Sequence, residues 1–164
     1  MARIFIAIRF NDDVKNTFVN IQNALRTKGV RGNYCPYNNL HLTLAFIGEK
    51  YDLQNIYKAV SEVTFKPFTM TLGELGTFST KTGVIWCGIK EKEPVTTVAN
   101  KLRERLAAND VGFSAMTFYP HISLVRQPST IVTDIDVPET SITIDRLFVM
   151  KSERIDGEFV YSEI

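Results

Sequence analysis

The apolar positions fall into two kinds of run, and their periods predict the elements. Residues 3–10 hold a near-continuous run, Ile4-Phe5-Ile6-Ala7-Ile8, which predicts a buried strand. Asn11-Asp12-Asp13 then offers a helix cap, and Val14, Phe18, Ile21 and Leu25 recur at steps of 4, 3 and 4, the spacing of one helical face. Lys28 and Gly29 suit its end, a cation near the last carbonyls and then a residue free to take positive φ. A loop through Gly32, Asn33, Cys35-Pro36 and Asn38-Asn39 leads to a strand expected from about Leu40 to Ile47, closed by Gly48.

Asp52 can cap a second helix with Leu53, Ile56, Val60 and Val63 on its face. Residues 67–78 read as a strand, bulged near Gly73 and Gly76, and a turn at Lys81-Thr82-Gly83 makes it a hairpin with 84–90. Pro94 fits the first turn of a third helix, whose face is Val95, Val98, Leu102 and Leu106 and which ends before Gly112. A strand is expected near 117–125, then a polar stretch from Pro128 to Pro138. Two last strands, 141–151 and 158–163, are joined by a turn at Asp156-Gly157.

The order strand, helix, loop, strand occurs twice. Thirty-one residues separate Phe10 from His41, and the same number separates Lys90 from His121. The pattern predicts an α+β protein, a single bilobal domain over 1–164. Its two pseudo-symmetric lobes of antiparallel strands and flanking helices cover roughly 1–80 and 81–164, with strands free to swap between them. The active-site cleft is expected between the lobes.

Composition narrows the function classes. Hydrophobic residues make up 45% of the 164, enough to bury a core without staples. Nineteen basic and 18 acidic residues leave a net charge of +1, without the basic excess of a protein that coats long nucleic acid. Any nucleic-acid substrate is therefore expected to be held locally, at an end. Cys35 and Cys87 have no metal-ligand spacing and read as reduced thiols, and no stretch is long and apolar enough for a secretory signal or a membrane span. A cytoplasmic monomer without membrane attachment is expected.

The candidate chemistry lies in a phrase that occurs twice, His41-Leu42-Thr43-Leu44 and His121-Ile122-Ser123-Leu124. These are the only histidines, and on a strand each shares a face with the hydroxyl two residues on. Ser and Thr account for 24 of 164 residues, so two such coincidences have a probability of roughly 2%. A single histidine on an apolar strand is more often structural than catalytic. Matched copies at matched places of a repeat reverse that weighting. Two imidazoles can serve as general base and general acid at one centre, and two hydroxyls can hold an oxyanion beside them. Two histidines without carboxylate or thiol partners are too few for a closed zinc site. No metal and no cofactor are expected.

These phrases resemble the signatures of the two-histidine (2H) phosphoesterase superfamily. Within it, the bacterial and archaeal RNA 2′,3′-cyclic phosphodiesterases, LigT-like proteins also called 2′–5′ RNA ligases, are the most similar. Asn39-Leu40-His41-Leu42-Thr43-Leu44-Ala45-Phe46-Ile47-Gly48-Glu49 is similar to their first signature and Pro120-His121-Ile122-Ser123-Leu124-Val125-Arg126 to their second, with Ser123 in place of the commoner threonine. The resemblance implies a LigT-like fold and hydrolysis of a 2′,3′-cyclic phosphate on RNA ends or small nucleotides to a 2′-phosphomonoester. It implies His41 as proton donor, His121 as proton acceptor, and Thr43, Ser123 and Arg126 as phosphate ligands.

Phe46 and Arg126 each stand five residues after a histidine. Phe46 suits base stacking, with core packing as its bland alternative, and Tyr34 could add a rim for a base, as could Tyr37. An odd offset places a residue on the far face of a regular strand, so a bulge, twist or strand end has to turn Phe46 and Arg126 inward. Trp86 is expected in the core and Cys35 as an inert thiol. Two rival functions stand beside this one: 2′–5′ RNA ligation on tRNA-like ends by the same residues, and a non-catalytic nucleotide- or RNA-binding module on the same scaffold.

Overall fold

The computed structural model describes residues 2–49, 51–78 and 83–164. Lys81 and Thr82, expected in a turn, lie outside the described residues. The elements run β1 (Arg3–Arg9), α1 (Asp12–Thr27), β2 (Asn33–Tyr34), a 3₁₀ turn (Tyr37–Asn39), β3 (His41–Gly48), α2 (Leu53–Ser61) and β4 (Phe68–Phe78). They continue as β5 (Val84–Ile89), α3 (Lys92–Ala108), β6 (His121–Arg126), β7 (Ser141–Ile144), β8 (Phe148–Ile155) and β9 (Glu158–Glu163). The fold class is α+β.

The strands form two antiparallel sheets, ordered β3-β1-β8-β9 and β2-β6-β5-β4-β7. Leaving out the two-residue edge strand β2, the orders correspond position by position: β3 to β6, β1 to β5, β8 to β4, and β9 to β7. Sheet membership crosses the middle of the chain, since β4 lies in the second sheet and β8 and β9 in the first. The histidine strands β3 and β6 therefore stand at or next to a sheet edge and pack beside each other.

The helices cover the sheets with the faces their periodicity marks. Asn11 caps α1 by accepting from the Val14 N–H, and Val14, Phe18, Ile21 and Leu25 are all buried. On α3, Val95, Ala99, Leu102 and Leu106 are buried in the same core, Val98 is buried as well, and α3 packs on both α2 and β3. Asp52 caps α2, but that helix is shorter than its pattern: Leu53 is exposed and Val63 falls beyond the last turn, leaving Ile56 and Ala59 as its buried face.

Three further expectations are corrected. The strand near 117–125 begins only at His121, because Pro120 has no N–H to give to a ladder. The loop before the first phrase contains β2, whose Asn33 and Tyr34 pair with Arg126 and Val125. The run 141–151 is two strands in different sheets, β7 on β4 and β8 between β1 and β9. Its alternation changes phase between Ile144 and Leu147, so one straight strand could not bury both Ile142 and Val149, and the chain crosses between sheets at Asp145-Arg146-Leu147.

Candidate active site

Each histidine opens its strand and is fixed from behind by a backbone carbonyl two residues upstream. His41 Nδ1 lies 2.6 Å from Asn39 O and His121 Nδ1 lies 2.7 Å from Tyr119 O. A carbonyl only accepts, so Nδ1–H is the donor in both rings and Nε2 is the lone-pair nitrogen of the neutral form. For His41 that nitrogen accepts from the Thr43 hydroxyl at 2.8 Å. Among the described residues no corresponding bond joins Ser123 to His121.

Both strands carry the same irregularity. Ile6 and Ala7 stand opposite Ala45 and Thr43, which leaves Leu44 without a partner on β1; Ile85 and Trp86 stand opposite Val125 and Ser123, which leaves Leu124 without one on β5. One extra residue reverses the alternation beyond it. Leu42, Leu44 and Ala45 are buried in β3, as are Ile122, Leu124 and Val125 in β6, while histidine, hydroxyl residue and the residue at +5 are left on the other face. Phe46, 42% exposed, thus joins His41 and Thr43, and Arg126 joins His121 and Ser123.

Aromatic rings from other strands wall each imidazole. Phe5 and Tyr161 have their centroids 4.8 and 5.4 Å from that of His41. Phe78 stands edge-on to His121 at 4.9 Å, and Trp86 lies at 6.2 Å. Trp86 is buried, as a core residue would be, but on the His121 side of its strand, and its Nε1–H has no hydrogen-bond partner among the described residues. Sequence reasoning missed these walls. Phe5 sits in an unbroken apolar run that hides which face it serves, and Phe78, Trp86 and Tyr161 arrive from strands distant in sequence.

The walls set the electrostatics. Burial pulls the His41 pKa down to about 4; its bond to the Asn39 carbonyl opposes this, and the charges of Arg126 and His121 add to the lowering. His121 is lowered too, by burial first and then by Arg126, against the pull of the Tyr119 carbonyl. Both rings are pushed towards the neutral form, and each feels the guanidinium of Arg126.

Two cavities meet at that guanidinium. One, of about 360 Å³, is lined by His121, Ser123, Phe78, Val84 and Gln127. The other, of about 1290 Å³, is lined by Arg26, Arg31, Tyr34, Asn39, Phe159 and Tyr161. Arg126 and Asn33 line both.

Tyr34 reaches the larger cavity but is half committed: its hydroxyl donates to Val30 O, and Arg26 lies 3.9 Å over its ring. Tyr37 is turned to α1, donating to Asp12 at 2.7 Å. Burial pushes the Cys35 thiol up to about 11, which leaves it protonated and inert. Among the described residues no group of three or more His, Cys, Asp and Glu side chains is placed to hold a metal ion, and no helix is long and apolar enough to cross a membrane.

Among the described residues, two antiparallel sheets and three helices form an α+β protein, with one imidazole from each sheet near enough to Arg126 to feel its charge. Residues 15–156 match the model of the 2′-5′ RNA ligase superfamily, and the chain belongs to that superfamily. An RNA 2′,3′-cyclic phosphodiesterase of Thermotoga maritima is 29% identical over 92% of this chain and 86% of its own length. A protein of the same name from Escherichia coli is 30% identical, over 80% of this chain and 75% of its own. The crystal structure of E. coli LigT in its apo form superposes with a TM-score of 0.84 at 25% identity, covering 99% of this chain and 94% of that one.

Proposed function

We propose that this protein hydrolyses 2′,3′-cyclic phosphates on RNA ends or small nucleotides to 2′-phosphomonoesters, without a metal, by acid–base catalysis between His41 and His121. The observation that carries the reading is the matched pair of imidazoles. Each has Nδ1 fixed to a carbonyl, which leaves Nε2 as the nitrogen able to exchange a proton. The names of the relatives in T. maritima and E. coli support the same substrate class.

In the reaction, one Nε2 takes a proton from water as its oxygen attacks phosphorus. The P–O3′ bond breaks, and the other imidazole, protonated beforehand, gives its proton to O3′. Thr43 and Ser123 donate to the non-bridging oxygens, and Arg126 forks onto them. Phe46 stacks on the base, and Tyr34 lines the larger cavity where the RNA chain continues. The incoming phosphate charge offsets the field of Arg126 and raises both imidazole pKa values towards the range in which one of them holds a proton. A monomer in the cytoplasm is the proposed working form.

Resemblance allots proton donation to His41 and acceptance to His121. The deeper burial of His41, which pulls its pKa down to about 4, favours the reverse: a proton taken up by the pair when the phosphate binds goes first to His121. A substrate with sulfur at the 3′ bridge separates the two allocations, because a thiolate departs without a proton. The histidine whose alanine variant regains turnover on that substrate is the donor.

The function itself is tested with an oligonucleotide ending in a 2′,3′-cyclic phosphate. The expected result is a 2′-phosphate product, undiminished in chelator, with turnover reduced by about 10²- to 10⁴-fold in His41→Ala or His121→Ala. Unchanged turnover in the double variant would sink the mechanism. Sealing of a 5′-hydroxyl strand by the same protein would show ligation, and binding without turnover would show a binding module.

A further inference from the structure

Each bulge that brings a +5 residue onto the cleft face has its extra carbonyl held by a helix of the other half of the chain. In β6 the extra residue is Leu124. Its carbonyl accepts at 2.9 Å from Gln22 Nε2 of α1, and Gln22 sends its second amide proton to Cys35 O at 2.9 Å. The Cys35 N–H also donates to Leu124 O. In β3 the extra residue is Leu44. Its carbonyl accepts from both Nε and Nη2 of Arg103 on α3, each at 3.3 Å, while Arg103 Nη1 donates to Met116 O at 2.8 Å.

Gln22 is only 3% exposed, deeper than Lys15, the other buried polar residue of a helix face that also buries Val14, Phe18, Ile21 and Leu25. Burying an amide there costs free energy unless it is bonded, and apolar packing alone would be served by leucine. Arg103 is half-buried beside Phe113 and Phe118, with burial lowering its pKa, an expensive setting for a guanidinium that has no ion pair among the described residues. Each side chain directs donors to the carbonyl of the residue that the ladder skips between the hydroxyl residue and the +5 residue, Leu124 in β6 and Leu44 in β3; β3 skips a second residue, Ile47, beyond Phe46. The helices are exchanged: α1 follows β1 but serves β6, and α3 follows β5 but serves β3.

We infer that Gln22 and Arg103 are positioning residues that hold the two bulges, Gln22 presenting Arg126 to the phosphate and Arg103 presenting Phe46 to the base. The inference rests on the roles proposed above for Arg126 and Phe46. Without the Gln22 amide, the β6 bulge can slide along the strand, and Arg126 then turns off the face that carries His121. Loss of Arg103 releases Phe46 from the face of His41 in the same way.

Double-mutant cycles on cyclic-phosphate turnover test the pairing. Gln22→Met and Arg103→Met are each expected to lower kcat/KM by roughly tenfold, short of the ~10²-fold that a 1 Å misplacement can cost. Gln22→Met should add almost nothing in an Arg126→Ala background and its full loss in Phe46→Ala. Arg103→Met should show the opposite pattern, and Arg103→Lys, which keeps a donor, should recover part of the activity. A merely structural role lowers stability without choosing a partner, so equal coupling to both backgrounds, or none, overturns the inference. Gln22→Asn, polar but too short to reach, replaces Gln22→Met if that variant does not fold. A wild-type protein inactive on cyclic-phosphate ends would defeat the functional reading instead. The inference is then decided by crystal structures of the variants, where an unmoved Arg126 and Phe46 would overturn it.

Discussion

The Thr43 hydroxyl donates to Nε2 of His41 at 2.8 Å, whereas no hydrogen bond joins Ser123 to His121 among the described residues. The two phrases match in pattern but differ in their resting contacts. The Thr43 hydroxyl bond favours a neutral His41, while Ser123 lines the cavity beside His121. In the proposed mechanism each hydroxyl is an oxyanion donor, so Thr43→Val and Ser123→Ala should each lower kcat/KM by about 10- to 10²-fold. Thr43→Ser should keep most of the activity. Steady-state kinetics on a 2′,3′-cyclic nucleotide measure all three.

Arg126 lowers the pKa of both histidines through its charge. Taking the charge away in Arg126→Ala should raise both pKa values, His41 remaining the lower because burial is its larger cause. Titration of the two imidazole resonances by NMR reads this directly. Arg126→Lys should leave the pKa values near wild type while weakening phosphate binding, since an ammonium lacks the planar fork.

Acid should destabilise the fold through His41. Its folded pKa, about 4, lies below the ordinary histidine value of 6.5. Between those values the unfolded chain binds a proton that the folded chain does not, so stability is complete above pH 6.5 and falls as pH drops towards 4. His121 shifts in the same direction and adds to the loss. Urea unfolding across this window should show a decline of the order of 1–3 kcal/mol, much reduced in His41→Gln.

Gly76 is required by the wall of the His121 site. A Cβ there would overlap the six-membered ring of Trp86, which stands opposite it on β5. Gly76→Ala should therefore destabilise the protein by roughly 1–3 kcal/mol and displace Trp86 and Phe78 from around His121. Denaturant unfolding gives the first quantity, and a changed Trp fluorescence reports the second.

Much of the fold is legible in the chain because its periods are clean. The faces of α1 and α3 follow from the spacing of Val14, Phe18, Ile21 and Leu25 and of Val95, Val98, Leu102 and Leu106, all of which are buried. The hairpin β8–β9 is announced by Asp156-Gly157, both at positive φ. Periodicity failed where two strands follow each other without a turn signal, as at Ile144 and Phe148, because a phase slip of one residue leaves little trace in composition.

The doubled His-x-Thr/Ser phrase, with an equal run-up to each copy, by itself marks four candidate residues and a strand–helix–strand order that occurs twice. Local spacing can do this because a strand sends residues i and i+2 to one face whatever surrounds it. The place of Phe46 and Arg126 was open at that level, since an odd offset turns inward only through a bulge. That bulge depends on which residue of the neighbouring strand lies opposite, and on Gln22 and Arg103 reaching it from distant helices. The same holds for Phe5, Tyr161, Phe78 and Trp86, whose rings meet the imidazoles only once β1, β9, β4 and β5 have paired. Register and burial are properties of the assembled sheets, and so it was tertiary structure that decided the face of the +5 residues and the charge state of the histidines.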